Sequence, residues 1–227
     1  MLGRWMVRMI PAGFAPAMVL LAFLSTPGTA DEVPKDTTKK DTKATSDQTT
    51  TTAADTDEST WTILENRLTM RAPFNEFKGK VRVIAFFSPT CPRCLKNAGQ
   101  IKSQFLSKND SDDLRMMIVW VKSLSTDSEE KLPLAIEQIT DPRVTHFWDE
   151  KRALNPQLID AIMFSVNMNV YDVFLLYDKE QLWEQRLPRP GYFFHEVKRM
   201  PGPWWNLPSF IQEMEKALDD KAFGNPW

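Results

Sequence analysis

The chain contains two cysteines, Cys91 and Cys94, with Pro92 and Arg93 between them. Two cysteines exclude a scaffold built from several disulfides. A bridge between such close neighbours would close a very small loop, so it would remove little entropy from the unfolded chain and add little stability. The pair is therefore predicted to serve chemistry, for which thiol–disulfide exchange and metal binding by the two thiols are candidates.

The cysteine pair falls where one predicted element gives way to another. Val81–Phe87 is an apolar run rich in β-branched and aromatic residues, which predicts a strand buried on both faces. From Cys94 to Phe105, apolar residues recur at helical spacing. The sequence therefore predicts that Cys91 lies at the N-terminus of a helix that follows a buried strand.

This position predicts different roles for the two sulfurs. Unpaired N–H groups and the helix dipole stabilise a thiolate at Cys91, and the positive charge of Arg93 should lower its pKa further. Pro92 suits the first helical turn, where its missing N–H has no partner to lose. Cys94 lies one turn further on and is expected to be more buried. We expect a partly exposed Cys91 nucleophile and a buried Cys94 that resolves the mixed disulfide.

The remaining pattern alternates between strands and helices, which predicts an α/β domain. Further strands are predicted over 114–121, 144–148 and 171–177, and further helices over 127–139, 156–164 and 208–218. Leu182–Gln185 is predicted to pair with the strand over 171–177 through a turn. The segment 188–208, rich in Pro, Gly and aromatic residues, is predicted to be a long loop. Its rings could form a docking surface or pack over the edge of the core.

The N-terminal sixty residues differ from the rest in composition. Residues 1–30 combine early arginines, a short apolar run and small residues up to Ala30, which is the pattern of a secretory signal peptide. Residues 31–60 are mostly Thr, Asp, Lys, Ser and Ala, typical of a disordered tether. We therefore expect an exported protein, periplasmic or extracellular, with its folded domain over 61–227. A membrane tether is expected only if the signal segment stays uncleaved.

Charge and motifs narrow the class of partner. The formal net charge of -2 gives no electrostatic reason to expect nucleic-acid binding. The sequence has no phosphate-binding glycine loop and no dinucleotide fingerprint. We therefore expect no cofactor, no resident metal and no nucleic-acid partner.

The strand, the Cys-x-x-Cys motif at a helix start and the preceding Phe77–Lys80 resemble the thioredoxin superfamily, and in particular the exported thiol-disulfide oxidoreductases of bacteria. Asp141–Arg143, Phe147–Asp149 and Tyr171–Leu176 together resemble a group of bacterial thioredoxin-like proteins. The resemblance implies a mixed central β-sheet flanked by helices, with Cys91 as attacking and Cys94 as resolving thiol. It also implies protein thiols or disulfides as partners, together with an unknown redox partner.

Three positions depart from the pattern of that family. The residue matching its cis-proline is Asp172, the acid buried in the strand before the motif is replaced by Ala85, and the aromatic residue before the first cysteine is replaced by Thr90. Without that acid, the proton of Cys94 needs water or another acceptor, for which Asp172 is a candidate. These departures favour exchange with a narrow set of protein substrates over a general reductase.

Three other interpretations compete with exchange. The two thiolates could bind copper or zinc together with His146 or His195, as in a metal chaperone. The stretch Ser88–Cys91 has a faint likeness to a peroxidase motif, but Ile84 stands where that motif requires proline. Finally, the domain could be a non-catalytic binding module that uses the aromatic segment and carries a passive disulfide.

Overall fold

The computed structural model of the protein describes residues 60–164 and 169–227. The predicted signal peptide and nearly all of the predicted tether lie outside these residues. Within them, no helix has both the length and the apolar character needed to cross a membrane.

Six strands of the described residues form one mixed sheet. They are β1 Thr62–Ile63, β2 Val81–Phe87, β3 Leu114–Val121, β4 Val144–Asp149, β5 Val173–Tyr177 and β6 Tyr192–His195. Their order in the sheet is β1-β4-β3-β2-β5-β6. The strands β1, β4, β3 and β2 are parallel, whereas β5 runs antiparallel to β2 and β6 antiparallel to β5.

Five α-helices in the part of the chain that the structure describes accompany the sheet, and the core lies on both of its faces. They are α1 Leu68–Glu76, α2 Pro92–Gln104, α3 Leu132–Ile136, α4 Asn155–Ala161 and α5 Leu207–Leu218. Buried residues of α2, α3 and α5 share one apolar cluster with Val83 and Ala85 of β2, while those of α1 and α4 share a second cluster with Ile84. All seven residues of β2 are buried, which confirms the predicted two-faced strand.

This arrangement is the predicted thioredoxin-like fold. Its parallel strands continue through β2 into an antiparallel pair, β5 and β6, and the cysteine motif follows β2 directly. The strand β2 lies in the middle of the sheet, and its carboxyl end lies beside the first residue of β5. Cys91 follows this end of β2 and therefore lies near the start of β5. The fold therefore brings the start of α2 close to residues before β5 that lie far away in the sequence.

Two predictions about the last third of the chain are wrong. Leu182–Gln185 forms no strand, and β6 instead lies inside the segment predicted to be a loop. The backbone N–H of Trp183 donates to Asn75 Oδ1 at 2.8 Å, so this stretch is held against α1 and not against β5. The strand β6 was not predicted because it contains only four residues, Tyr192–His195, and because the segments on either side of it are rich in Pro and Gly.

The predicted helix over 127–139 is present only in pieces. A 3-10 turn at Glu129–Lys131, the short α3 and a second 3-10 turn at Glu137–Ile139 replace one continuous helix. Asp127 does not open the helix, because its side chain turns inward and is buried. This inward turn matters for the cysteine site.

Candidate redox site

Cys91 is the N-cap residue of α2. Its backbone is extended, Pro92 occupies the first helical turn, and the N–H of Cys94 donates to Cys91 Sγ at 3.5 Å. The predicted position of the motif at a helix start is confirmed. An extended N-cap followed by proline leaves the first helical N–H groups directed at the sulfur, where they favour negative charge.

The two thiols differ strongly in their tendency to ionise. The hydrogen bond from the Cys94 thiol lowers the pKa of Cys91 to about 6, with further help from the N–H groups of Cys94 and Arg93 and from the Arg93 charge. Burial raises the pKa of Cys94, since its sulfur is fully removed from solvent. The site therefore contains one thiolate-prone sulfur and one that keeps its proton.

Cys91 is less exposed than the sequence predicted. It is only 5% exposed and belongs to the apolar cluster on the α2 face of the sheet. The cause is that Cys91 packs in one cluster with apolar residues of β2, β3 and α2, whereas the side chain of the nearby Arg93 is 55% exposed. A reacting partner must therefore reach the sulfur through a restricted opening.

The loop before Cys91 is fixed by a buried carboxylate that the sequence did not reveal. Asp127 Oδ1 accepts hydrogen bonds from Ser88 Oγ at 2.9 Å, from the Thr90 N–H at 3.2 Å and from the Thr90 hydroxyl. Asp127 Oδ2 accepts from the N–H groups of Ser123 and Leu124 at 2.9 and 2.7 Å. Thr90 therefore supports the motif through Asp127, which joins the loop after β3 to the loop after β2.

Asp172 faces the cysteine pair from the residue before β5. Its φ of +63° lies in the left-handed region, its N–H donates to Phe86 O at 2.6 Å, and no peptide bond among the described residues is cis. Its carboxylate and the two sulfurs all lie within 4.8 Å of one another. Asp172, the residue predicted to stand at the family's proline position, therefore lies beside the cysteine pair and places an acid there.

The carboxyl group of Asp172 holds a proton more tightly than an ordinary aspartate. Burial raises the pKa of Asp172 to about 7, and the negative charges of Glu196 and Cys91 raise it too, against Arg93 and a hydrogen bond from Asn97. Arg93 Nε lies 3.8 Å from Asp172 Oδ2, and this oxygen accepts no hydrogen bond. A buried carboxyl with this pKa can exchange a proton near neutral pH.

Two further residues of the site, Asn97 and Glu196, were missed by the sequence analysis. Asn97 Nδ2 donates to Glu196 Oε2 at 2.7 Å and to Asp172 Oδ1 at 3.3 Å. Beside Asp172 opens a cleft of about 240 Å³, whose walls include Arg93, Tyr171 and Glu196. The spacing of Asn97 one turn after Cys94 was a usable signal, whereas nothing in the sequence connected Glu196 to the motif.

The histidine-containing metal site proposed as an alternative is not assembled among the described residues. Only Cys91, Cys94 and Asp172 there form a group of close potential ligands. His146 Nδ1 accepts from Trp120 Nε1 at 3.3 Å and His195 Nδ1 from the Val197 N–H at 3.2 Å. Two sulfurs and one carboxylate could hold a soft ion, but they leave a tetrahedral coordination incomplete.

The aromatic segment packs mainly over the core. The ring of Trp205 stacks on Phe174 with centroids 3.9 Å apart, and Phe193 and Phe194 are buried. Trp204 is the exception, with 51% of its surface exposed. Packing against the core edge is therefore the main structural role of these rings.

Comparison with known proteins yields structural likeness only. No protein-family model matches the chain, and no curated protein matches it. A thioredoxin-like protein in the oxidized form has 19% identity and a TM-score of 0.41 over 63% of this chain and 80% of its own. A putative protein disulfide isomerase from Bacteroides thetaiotaomicron has 15% identity and a TM-score of 0.38 over 64% and 78%. A member of the Sco family of cytochrome c oxidase assembly proteins has 12% identity and a TM-score of 0.42 over 63% and 82%.

The protein thus has a thioredoxin-like fold with a close pair of cysteines at the start of α2. Because the similarities above have TM-scores below 0.5, the chemistry of the site has to follow from its own geometry. That geometry is suited to thiol redox chemistry.

Proposed function

We propose that the protein carries out thiol–disulfide exchange outside the cytoplasm through Cys91 and Cys94. The observation that carries this proposal is the N-cap position of Cys91, whose sulfur accepts hydrogen bonds from Cys94 and has its pKa lowered to about 6. At neutral pH such a sulfur is mostly thiolate, which is the reactive form. The signal-peptide pattern of residues 1–30 supports the location.

The reaction proceeds in two displacements. The Cys91 thiolate attacks one sulfur of a partner disulfide, a bond forms between them, and the other partner sulfur leaves as a thiolate. Cys94 then loses its proton and attacks Cys91 Sγ, which forms the Cys91–Cys94 disulfide and releases the second partner sulfur. The partner gains two electrons and the pair loses two. The reverse sequence oxidises a partner dithiol, and a separate redox partner resets the pair.

Asp172 is the proposed proton acceptor for Cys94. Burial keeps Cys94 protonated, so the second displacement needs a base close to its sulfur. The carboxylate of Asp172 lies within 4.8 Å of that sulfur, and its pKa of about 7 suits transfer at neutral pH. In this role Asp172 takes the place of the buried acid that the family carries at the position of Ala85.

Two features favour a narrow set of protein substrates. Cys91 is almost buried, so only a partner that fits the opening reaches it. In addition, the backbone of Asp172 is occupied on both sides, since its N–H donates to Phe86 O and its carbonyl accepts from the Glu196 N–H at 3.0 Å. An extended substrate therefore finds no free backbone hydrogen-bonding group on this residue.

Trapping of the intermediate tests the proposal. In cells that produce the full chain with Cys94→Ser, we expect mixed disulfides on Cys91 that appear on non-reducing gels and disappear with reductant. The matched control carries both Cys91→Ser and Cys94→Ser and should form none. If the single variant forms no more adducts than the double variant, the cysteines are a passive pair and the binding-module interpretation takes the place of exchange.

A further inference from the structure

One group of polar residues around Asp172 lies outside the two-thiol mechanism. The side-chain amide of Asn97 donates to two carboxylates at once, to Glu196 at 2.7 Å and to Asp172 at 3.3 Å. Asp172 and Asn97 are buried, 1% and 4% exposed, whereas Glu196 is only half-buried and borders the cleft beside them. A chain of polar groups therefore runs from the cysteine pair to solvent.

An arrangement of this kind has a defined electrostatic effect. Two carboxylates that share one amide repel each other, and the more deeply buried one responds by binding its proton more tightly. The negative charge of Glu196 is the largest contribution after burial to the raised pKa of Asp172. Arg93 acts in the opposite direction, because its cation favours the ionised form of Asp172.

We propose that Glu196 is a positioning residue for exchange, which holds Asn97 against Asp172 and whose charge sets the pH at which Asp172 accepts the Cys94 proton. The inference rests on the proposed function, because it concerns the second displacement. It adds a residue that touches neither sulfur and lies 102 positions beyond Cys94. The charge of Glu196 thereby determines the pH above which resolution of the mixed disulfide by Cys94 becomes fast.

The other groups around Asp172 are consistent with an effect of Glu196 on proton binding by Asp172. In the mixed disulfide the charge of Cys91 is absent, so burial and Glu196 remain as the causes that raise the pKa of Asp172. Lys198 and Tyr171 border the same cleft. The polar or titratable groups around Asp172 are Cys91, Cys94, Arg93, Asn97, Tyr171 and Glu196.

The second displacement can be followed separately from the first. The reduced full chain is mixed with an aromatic disulfide that releases a coloured thiolate in each step, with a chelator present to keep metal ions off the thiols. The first release reports attack by Cys91 and the second reports resolution by Cys94. The rate of the second release, measured from pH 5 to pH 9, gives the midpoint of its dependence on a base.

Two substitutions should move this midpoint in opposite directions. Glu196→Gln removes the repelling charge and should lower the midpoint by about 1 pH unit. Arg93→Gln removes the attracting charge and should raise it, by only about half a unit because Arg93 is largely exposed. Glu180→Gln is the matched control, since Glu180 lies beyond the opposite end of β5, and it should leave the midpoint unchanged.

The outcomes separate this inference from the proposed function. If the first release is absent, exchange itself fails. If both releases occur but Glu196→Gln leaves the midpoint unchanged or raises it, Glu196 has no positioning role and only the inference is overturned. A merely structural role of Glu196 would change the free energy of unfolding without a downward shift of the midpoint.

Discussion

The two sides of the cysteine site are built in different ways. On the α2 side, the reactive sulfur, its helix start and the cation beside it come from consecutive residues, Cys91–Cys94. On the opposite side, the acid Asp172 precedes β5 and its partner Glu196 follows β6. Local backbone geometry thus generates the thiolate, whereas the groups that handle the proton meet only through the tertiary fold.

This difference separates two kinds of control over one reaction. The pKa of Cys91 depends chiefly on hydrogen bonds within the first turn of α2, so it should tolerate change elsewhere in the domain. The pKa of Asp172 depends chiefly on burial and on the charge of Glu196, so it should respond to any change in how β5 and β6 pack. Each of the following experiments addresses one part of the site.

The largest expected effect is the difference in reactivity between the two thiols. At pH 7, alkylation of the reduced chain should modify Cys91 roughly 100-fold faster than Cys94, because Cys91 is mostly thiolate and Cys94 is a buried thiol. The Cys91 rate should rise with pH around a midpoint near 6 and then level off. Mass spectrometry of quenched samples measures both rates.

The matched control for that experiment is Cys91→Ser, in which only Cys94 remains. It should stay unmodified while folded and react once the chain is unfolded. A Cys91 midpoint near the free-thiol value of about 8.5 would show that the start of α2 does not lower the pKa of Cys91.

The same difference explains how much the sequence could predict. The sequence predicted the strand β2, the start of α2, and which of the two thiols ionises and which stays buried. These predictions came from apolar patterning and from a motif of four consecutive residues. The fold class followed from the alternation of elements and from the family resemblance. These features are local, so a sequence displays them directly.

The missed features all depend on contacts between distant segments. Asp127 looked like a helix opener because acidic residues favour helix starts, and only the fold shows that it accepts five hydrogen bonds in the interior. Glu196 lies beyond a strand, β6, that the Pro- and Gly-rich flanks concealed. The burial of Cys91 was missed for a related reason, since packing around a helix start cannot be read from the motif.

The next largest effect concerns the carboxylate that fixes the loop before Cys91. Asp127→Ala leaves several inward-facing N–H and hydroxyl groups without an acceptor, so it should reduce the free energy of unfolding by about 3 kcal/mol. Urea denaturation of the reduced protein measures this loss. Asp219→Ala, an exposed control, should change stability by less than about 0.5 kcal/mol. Equal losses in the two variants would mean that Asp127 does not hold the loops together.

The smallest expected effect tests the opposite side through the stability of the fold. The pKa of Asp172 is raised from 3.8 to about 7 in the folded state, so the folded chain binds this proton more tightly than the unfolded chain. Stability should therefore fall as pH rises from about 4 to 7, and Asp172→Asn should remove that cost. Asparagine also tolerates the left-handed backbone found at this position.

In the oxidised protein, where neither thiol titrates, Asp172→Asn should stabilise the fold by about 2 kcal/mol at pH 8 and have almost no effect at pH 4. The gain is smaller than the full pKa shift would give, because the disulfide has removed the charge of Cys91 that contributes to it. Denaturation curves at both pH values measure the difference, with the exposed Asp219→Asn as control. A gain of equal size at both pH values would show that Asp172 does not carry a buried charge, and the proton-accepting side of the site would then lose its base.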